Sequence, residues 1–304
     1  MSKRGWALFV VLAVIWGLPY FFIRIAVRDV EPATLVFLRT AFAALILLPF
    51  AIHRRQLRRL LDDWFAVLGY TILEITVPWF LLSTAEQKLT SSLAGLMVAT
   101  VPIFGAVIAW GLGHERPDAR RISGLFLGFA GVVVLAGVGA KGSNLVSMGE
   151  IVLCAVGYAT APMIVSRRLA EVPSFEVVTA SMVVTALIYL PFGLTHLPSR
   201  FHAEPAESIA TLSAVCTVLA FLVFFALIKE VGPTRSVVVT YVNPAVALLL
   251  GVVILGEPFT VGIAIGFPLI IAGSVLATWS EATPVRPHVM HGPAESALGG
   301  EPTR

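Results

Sequence analysis

The chain has 304 residues, 58% of them hydrophobic and only 13% charged, whereas a soluble domain carries about 25% charged residues. So small a polar complement excludes a water-soluble globule, and a net charge of +3 is no signature of nucleic-acid binding. Two cysteines are too few for a disulfide framework or a cysteine-built metal site.

A hydrocarbon core of about 30 Å takes roughly 20 helical residues to cross. Ten apolar runs approach or reach that length, in chain order residues 6–23, 33–52, 64–85, 91–112, 122–138, 147–165, 175–194, 209–228, 236–255 and 261–279. The runs are continuously apolar rather than alternating, so they read as helices and not as barrel strands. Lys3 and Arg4 before the first run superficially suggest a signal peptide. No small-residue cleavage pattern follows and nine more runs do, which predicts a retained first helix. Connections are short and leave no room for a soluble catalytic or nucleotide-hydrolysing domain. Residues 281–304 hold four prolines and three glycines in 24 positions without periodicity, which predicts a disordered tail. Cys154 and Cys216 lie inside runs, where a lone thiol acts as a small hydrophobe.

The basic residues are asymmetric. Fifteen fall on the N-terminal side of alternating crossings: Lys3, Arg4, Arg54, Arg55, Arg58, Arg59, Arg116, Arg120, Arg121, Arg167, Arg168, Lys229, Arg235, Arg286 and Arg304. Five fall on the other side: Arg24, Arg28, Lys88, Lys141 and Arg200. Cytoplasmic loops carry the Lys/Arg excess, so both termini are predicted to be cytoplasmic. Ten crossings require the same.

Subtracting 142 from the second half lays the chain on itself: Pro244 on Pro102, Glu257 on Glu115, Gly266 on Gly124, Gly273 on Gly131 and Pro191 on Pro49. Each copy, 1–140 and 141–280, carries five runs. A unit with an odd number of crossings enters the membrane from opposite sides in its two copies. The expected fold is therefore an all-α integral membrane protein of ten transmembrane helices, built as two inverted five-helix repeats with a substrate site between them near the midplane. The copies differ in polar content: Trp16 falls opposite Tyr158, Arg39 opposite Ser181 and Glu74 opposite Cys216.

Glu74 lies near the middle of the third run, where an acidic side chain costs about 2.5–3.5 kcal/mol on insertion scales. It must face a cavity or a partner. Two roles are open, a site of proton coupling or a fixed ion pair with Arg39, whose Cα height differs by roughly 6 Å at about 1.5 Å per residue. Trp16 and Tyr20 share a helix face, and with Trp79 and Tyr158 they offer aromatic walls for a small amphipathic ligand. Ser236, Thr240 and Asn243 form a polar stripe at i, i+4, i+7, and Thr240 and Asn243 are expected to line the substrate site. Pro102 and Pro244 are expected to bend their helices and free backbone acceptors at membrane depth. Trp6, Trp64, Trp110 and Trp279 sit at run ends as interfacial anchors. Gly124/Gly128 and Gly262/Gly266 are spaced for close helix contact. Glu115 and Glu257 precede prolines at loop starts and are expected to cap or pair near helix ends. The glycines at 137, 139 and 142 match a dinucleotide fingerprint in form alone, since a helix and not a strand precedes them.

The ordered motifs carry a further resemblance. Ser91-Ser92-Leu93-Ala94-Gly95-Leu96 leads to Val101-Pro102-Ile103-Phe104 and Gly113-His114-Glu115-Arg116-Pro117, then a glycine-spaced helix. The second copy has Pro233-Thr234-Arg235-Ser236, Asn243-Pro244 and Leu255-Gly256-Glu257-Pro258, then another such helix. With Trp16-Gly17 and Arg39, this pattern resembles the EamA-type transporters of the drug/metabolite transporter superfamily over residues 6–280. The resemblance implies a ten-helix carrier with a central cavity between halves, moving a metabolite and often moving it outward.

An intramembrane enzyme would need convergent nucleophiles, bases or metal ligands at depth. The six histidines, His53, His114, His196, His202, His288 and His291, fall in loops, the tail or run ends. The reading is therefore a secondary transporter, not an enzyme, that exports a small metabolite such as an amino acid by alternating access. A passive channel is the alternative. Expected partners are the solute, membrane lipid and protons, with no nucleic acid, no cofactor and no metal. One chain suffices, in the cell membrane.

Overall fold

The computed structural model describes residues 1–54, 59–112, 118–138, 145–198, 200, 202–232 and 236–278. The predicted tail, the junction between the two copies, Glu115 and Trp279 lie outside the described residues. Among the described residues every regular element is helical. In order these are α1 (Lys3–Ala26), α2 (Pro32–Arg54), α3 (Trp64–Glu86), α4 (Ser91–Gly111), α5 (Ala119–Val138), α6 (Leu145–Arg168), α7 (Ser174–Thr195), α8 (Ala203–Val231), α9 (Val238–Val253) and α10 (Val261–Thr278). A single turn, Arg59–Asp62, precedes α3. Among the described residues eight helices, all but α5 and α9, are long and apolar enough to cross a membrane. The chain is a multi-pass membrane protein.

Helix starts follow from local chemistry. The first N–H groups of a helix lack partners within it, and Ser, Thr or Asp side chains accept from them. Ser2 Oγ accepts from Gly5 N at 2.9 Å, Thr90 Oγ1 from Leu93 N at 3.2 Å, Asp118 Oδ1 from Arg121 N at 2.8 Å and Thr260 Oγ1 from Ile263 N at 3.2 Å. Away from the caps, large apolar side chains face outward, among them Leu45, Phe50, Phe65, Phe126, Val133 and Leu249. A soluble surface rarely carries so much exposed hydrocarbon, whereas lipid accommodates it. Trp6, Trp64 and Trp110 are exposed at helix ends, where indoles anchor at the interface.

α5 lies along α10, α2 along α7, α3 along α6, α4 along α9, and α1 packs against both α8 and α9. Glycines set the closest of these contacts. A Cβ at Gly124 would meet the Gly273 carbonyl at 2.9 Å, and one at Gly273 would meet the Gly124 carbonyl at 2.7 Å. Gly131 and Gly266 stand in the same mutual relation at 2.8 Å. Since Gly124 meets Gly273 and Gly131 meets Gly266, the two helices run antiparallel. Gly128 and Gly273 complete the contact, so Gly124, Gly128 and Gly266 of the expected close-packing glycines take part, joined by Gly131 and Gly273.

The long helices are interrupted at two kinds of place. α3 and α8 each contain a π turn, Ile72–Thr76 and Ala214–Leu219, which start 142 residues apart. α4 and α9 break in the middle. Residues 99–100 separate Ser91–Val98 from Val101–Gly111, and a 3-10 turn, Val237–Tyr241, leads into Asn243–Val253. Pro102 and Pro244 stand in the first turn of the second segments. There a missing N–H leaves nothing unpaired, so these prolines start new helices instead of kinking continuous ones as expected. One acceptor released at the first break, Ala99 O, receives Ser274 Oγ from α10 at 2.9 Å.

Candidate functional site

Arg39 on α2 is 6% exposed. Its guanidinium carbon stands 3.5 Å from the centroid of the Trp79 ring on α3. Its Nε donates to Thr217 Oγ1 at 3.1 Å, and Thr217 lies in the π turn of α8. The same hydroxyl donates to Leu212 O, five residues back, at 2.8 Å. A π turn displaces one residue out of the regular ladder, and here that residue's hydroxyl ties the turn to the cation. A desolvated cation–π contact is worth about 2 kcal/mol. With the hydrogen bond it offsets much of the roughly 2.5–3.5 kcal/mol cost of a cation at this depth. Neither contact neutralises the charge.

Around this cation lie Tyr20 on α1, buried, and Tyr158 on α6, half-buried; both are within electrostatic reach of Arg39. Glu74, in the π turn of α3, is within reach of Tyr158, and its Oε2 is buried without a hydrogen-bond partner. On either side of it along α3, hydroxyl contacts join α3 to α7. Thr71 pairs with Ser181 at 2.8 Å, Thr76 with Thr185 at 2.8 Å, and Tyr189 Oη donates to Thr76 O at 3.0 Å. The structure thus brings Arg39, Trp79, Tyr20 and Tyr158 together at the junction of α1, α2, α3, α6 and α8, with Glu74 within reach of Tyr158 and not paired with Arg39.

It does not pair Arg39 with Glu74: among the described residues no carboxylate lies within 4.0 Å of Arg39. The cation takes the Trp79 face and Thr217 instead. Heights along the membrane allowed the pair, but helix rotation turns the two side chains to different neighbours. Trp16 packs on α8, with ring centroids 4.8 Å from Phe224 and 6.4 Å from Phe221. Asn243, with its amide nitrogen turned inward, donates to Val239 O at 2.9 Å and to Ala13 O at 3.3 Å, which ties α9 to α1. Ser236 closes its own turn on Gly232 O at 2.7 Å, and Thr240 is half-buried and partnered. Of this polar stripe, Ser236 serves a helix start and Asn243 a helix crossing.

Several polar groups escaped the sequence reading. Glu257 caps α4 across the molecule, and not locally: its carboxylate accepts from Ser91 N at 2.7 Å, Ser92 N at 2.9 Å and Ser92 Oγ at 2.5 Å. Gly256 makes this possible by adopting φ +66°, a region only glycine enters without strain. Glu86 is wholly buried with both carboxyl oxygens unpaired, and Arg24 donates to its backbone carbonyl instead. Glu176 in the first turn of α7 is likewise buried with both oxygens unpaired. Their positions near run ends gave no sign of burial. An open cleft between Arg28, Asp29 and His202 lies at a loop face and includes none of the cluster residues. Among the described residues no group of three or more His, Cys, Asp or Glu side chains is placed to hold a metal.

The EamA-like transporter family matches residues 3–137 and 148–279. An uncharacterized transporter of Archaeoglobus fulgidus is 24% identical over 286 residues, 91% of this chain and 98% of that one. A probable amino-acid metabolite efflux pump of Salmonella typhimurium is 25% identical over 90% of this chain and 94% of its own length. An uncharacterized inner membrane transporter of Escherichia coli is 29% identical over 81% of each chain. A crystal structure resembles this one with a TM-score of 0.64 at 20% identity, over 91% of this chain and 97% of that one. That likeness shows the fold alone.

Proposed function

The chain belongs to the EamA-like transporter family, a membrane transporter and not an enzyme, and from that premise we propose that it exports a small amphipathic metabolite, such as an amino acid, by alternating access. The observation that carries this reading is the Arg39–Trp79–Thr217 cluster, a desolvated cation with aromatic walls held where helices from both halves of the chain meet. Outward direction rests on the Salmonella relative, named a probable amino-acid metabolite efflux pump. The proposal places the chain in the cell membrane, a reading supported by the relative called an inner membrane transporter, with both termini cytoplasmic, a reading supported by the charge bias.

Two inverted halves, 1–140 and 141–280, with ten crossings, are part of the proposal. The glycine contacts support it. Gly124 meets Gly273 and Gly131 meets Gly266, and under the offset of 142 each contact becomes the other. That is the pattern of a two-fold relation, in which i meets j′ and j meets i′. The α1–α8 contact likewise maps onto α6–α3, and the π turns map onto each other. Alternate loops also meet at common ends: Ser2 Oγ donates to Glu230 at 2.5 Å, and His202 lies 2.6 Å from Asp29. Flux of labelled leucine from proteoliposomes, with and without a proton gradient, tests the reading. Protein-independent leakage alone would contradict it.

Within this mechanism Glu74 carries the coupling proton. Its unpaired Oε2 and its place in a π turn support the role, because a carboxyl without a fixed partner can exchange its proton as its surroundings change. A carrier is coupled only if the proton binds its two states differently. Glu74→Gln is expected to abolish transport driven by a pH gradient while sparing exchange at equal pH. Normal pH-driven transport in the Gln variant rules Glu74 out.

A further inference from the structure

Resting on the carrier reading above, we propose that the Arg39 guanidinium binds the substrate's carboxylate, so that the transported class is small acids or zwitterions with an apolar side group. Arg39 is nearly fully buried and its protein contacts are an indole face and a hydroxyl. Both stabilise a cation and neither balances its charge. Glu74, the acid its height suggested, stands elsewhere with an oxygen of its own unpaired. A buried cation without an anion is costly, and an incoming carboxylate removes that cost.

The geometry also selects the shape of the anion. Trp79 covers one face of the guanidinium and Thr217 occupies Nε. The donors left are those of Nη1 and Nη2, a two-pronged edge that matches one planar carboxylate. A phosphate dianion would bring a second charge, and among the described residues no second cation is recorded in contact with this cluster. Tyr20 and Tyr158 are within electrostatic reach of the cation, and the Trp79 ring that covers it belongs to an apolar cluster with Ile75, Met182 and Val218. A solute with a carboxylate at one end and hydrocarbon at the other fits both. Because Thr217 and Trp79 already fix the guanidinium, little ordering is left to be done on binding.

The test is a binding comparison on the purified full chain, with leucine, leucinamide, isocaproate and isocaproamide as probes. Each acid should bind roughly 10- to 100-fold more tightly than its amide, the size of one or two charge-assisted hydrogen bonds. In Arg39→Gln that preference should shrink to about twofold or less, and Arg39→Lys should restore part of it. Equal affinity for acid and amide in the unmodified protein overturns the assignment, so it stays decidable even if Arg39→Gln does not fold. A folded Arg39→Gln that keeps the preference, or an unmodified protein that binds none of the four, overturns it too. Flux in proteoliposomes separates this idea from the carrier reading. Amides that cross as fast as acids would sink the carboxylate point and leave the carrier standing. Acids that bind through Arg39 but never cross would do the reverse.

Discussion

Gly273→Ala is expected to destabilise the protein by roughly 1–3 kcal/mol, the usual range for overpacking a tight contact, and Gly273→Leu to leave almost no folded material. The added Cβ would collide with Gly128 N, and would stand 2.6 Å from Gly128 Cα and 2.7 Å from Gly124 O. All three are backbone atoms of α5, so no side-chain rotation relieves the clash. The helices must separate, and the reciprocal Gly131–Gly266 approach goes with them. Gly105→Ala is the control, since a Cβ there meets nothing within 4 Å and alanine favours a helix by about 1 kcal/mol. Thermal unfolding in detergent, with the monodisperse yield recorded alongside, compares the two. Equal stability of both variants would show that α5 and α10 are not held at backbone contact.

Glu257→Ala is the second large effect. The carboxylate serves two backbone N–H groups and one hydroxyl at the start of α4. Hydrogen bonds to a charged group contribute about 1.5–3 kcal/mol each, and their sum is not additive, so a total near 3 kcal/mol is expected. The readout is local. Amide exchange at Ser91 and Ser92 should accelerate by tenfold or more, a change of about 1.4 kcal/mol, while exchange in the α5–α10 contact stays unchanged. Glu257→Gln keeps an acceptor and should fall between. Gly251→Ala should mimic the loss, because its Cβ would collide with Ser92 Oγ and the Glu257 carboxylate. Unchanged exchange at Ser91 in Glu257→Ala would mean that the cap holds nothing.

Much of the fold is legible in the residues because it depends on period and length. Among the described residues eight of the apolar runs fall on helices long and apolar enough to cross a membrane, whereas the π turns, although they start 142 residues apart, gave no signal in the sequence. The site is legible only in part. Sequence fixes a residue's height in the membrane, but its direction around the helix depends on packing and on turns such as Ile72–Thr76 that shift the register. Arg39 and Glu74 have compatible heights and different neighbours for this reason. Thr217 gave no signal, since one threonine in an apolar run is ordinary until its neighbours are known. Glu257 had a signal in the Gly256-Glu257-Pro258 sequence, but its partners lie 165 and 166 residues away.

Counterflow tests alternating access most directly. Proteoliposomes are loaded with unlabelled leucine and diluted into trace labelled leucine without a pH gradient. A carrier with one site exposed to each side in turn couples the two fluxes, so labelled solute should rise transiently above its equilibrium level and then decay. Arg39→Gln should lose the overshoot. Simple equilibration at a rate indifferent to internal leucine would contradict alternating access and identify a passive channel, and no protein-dependent flux would contradict transport of this solute class altogether.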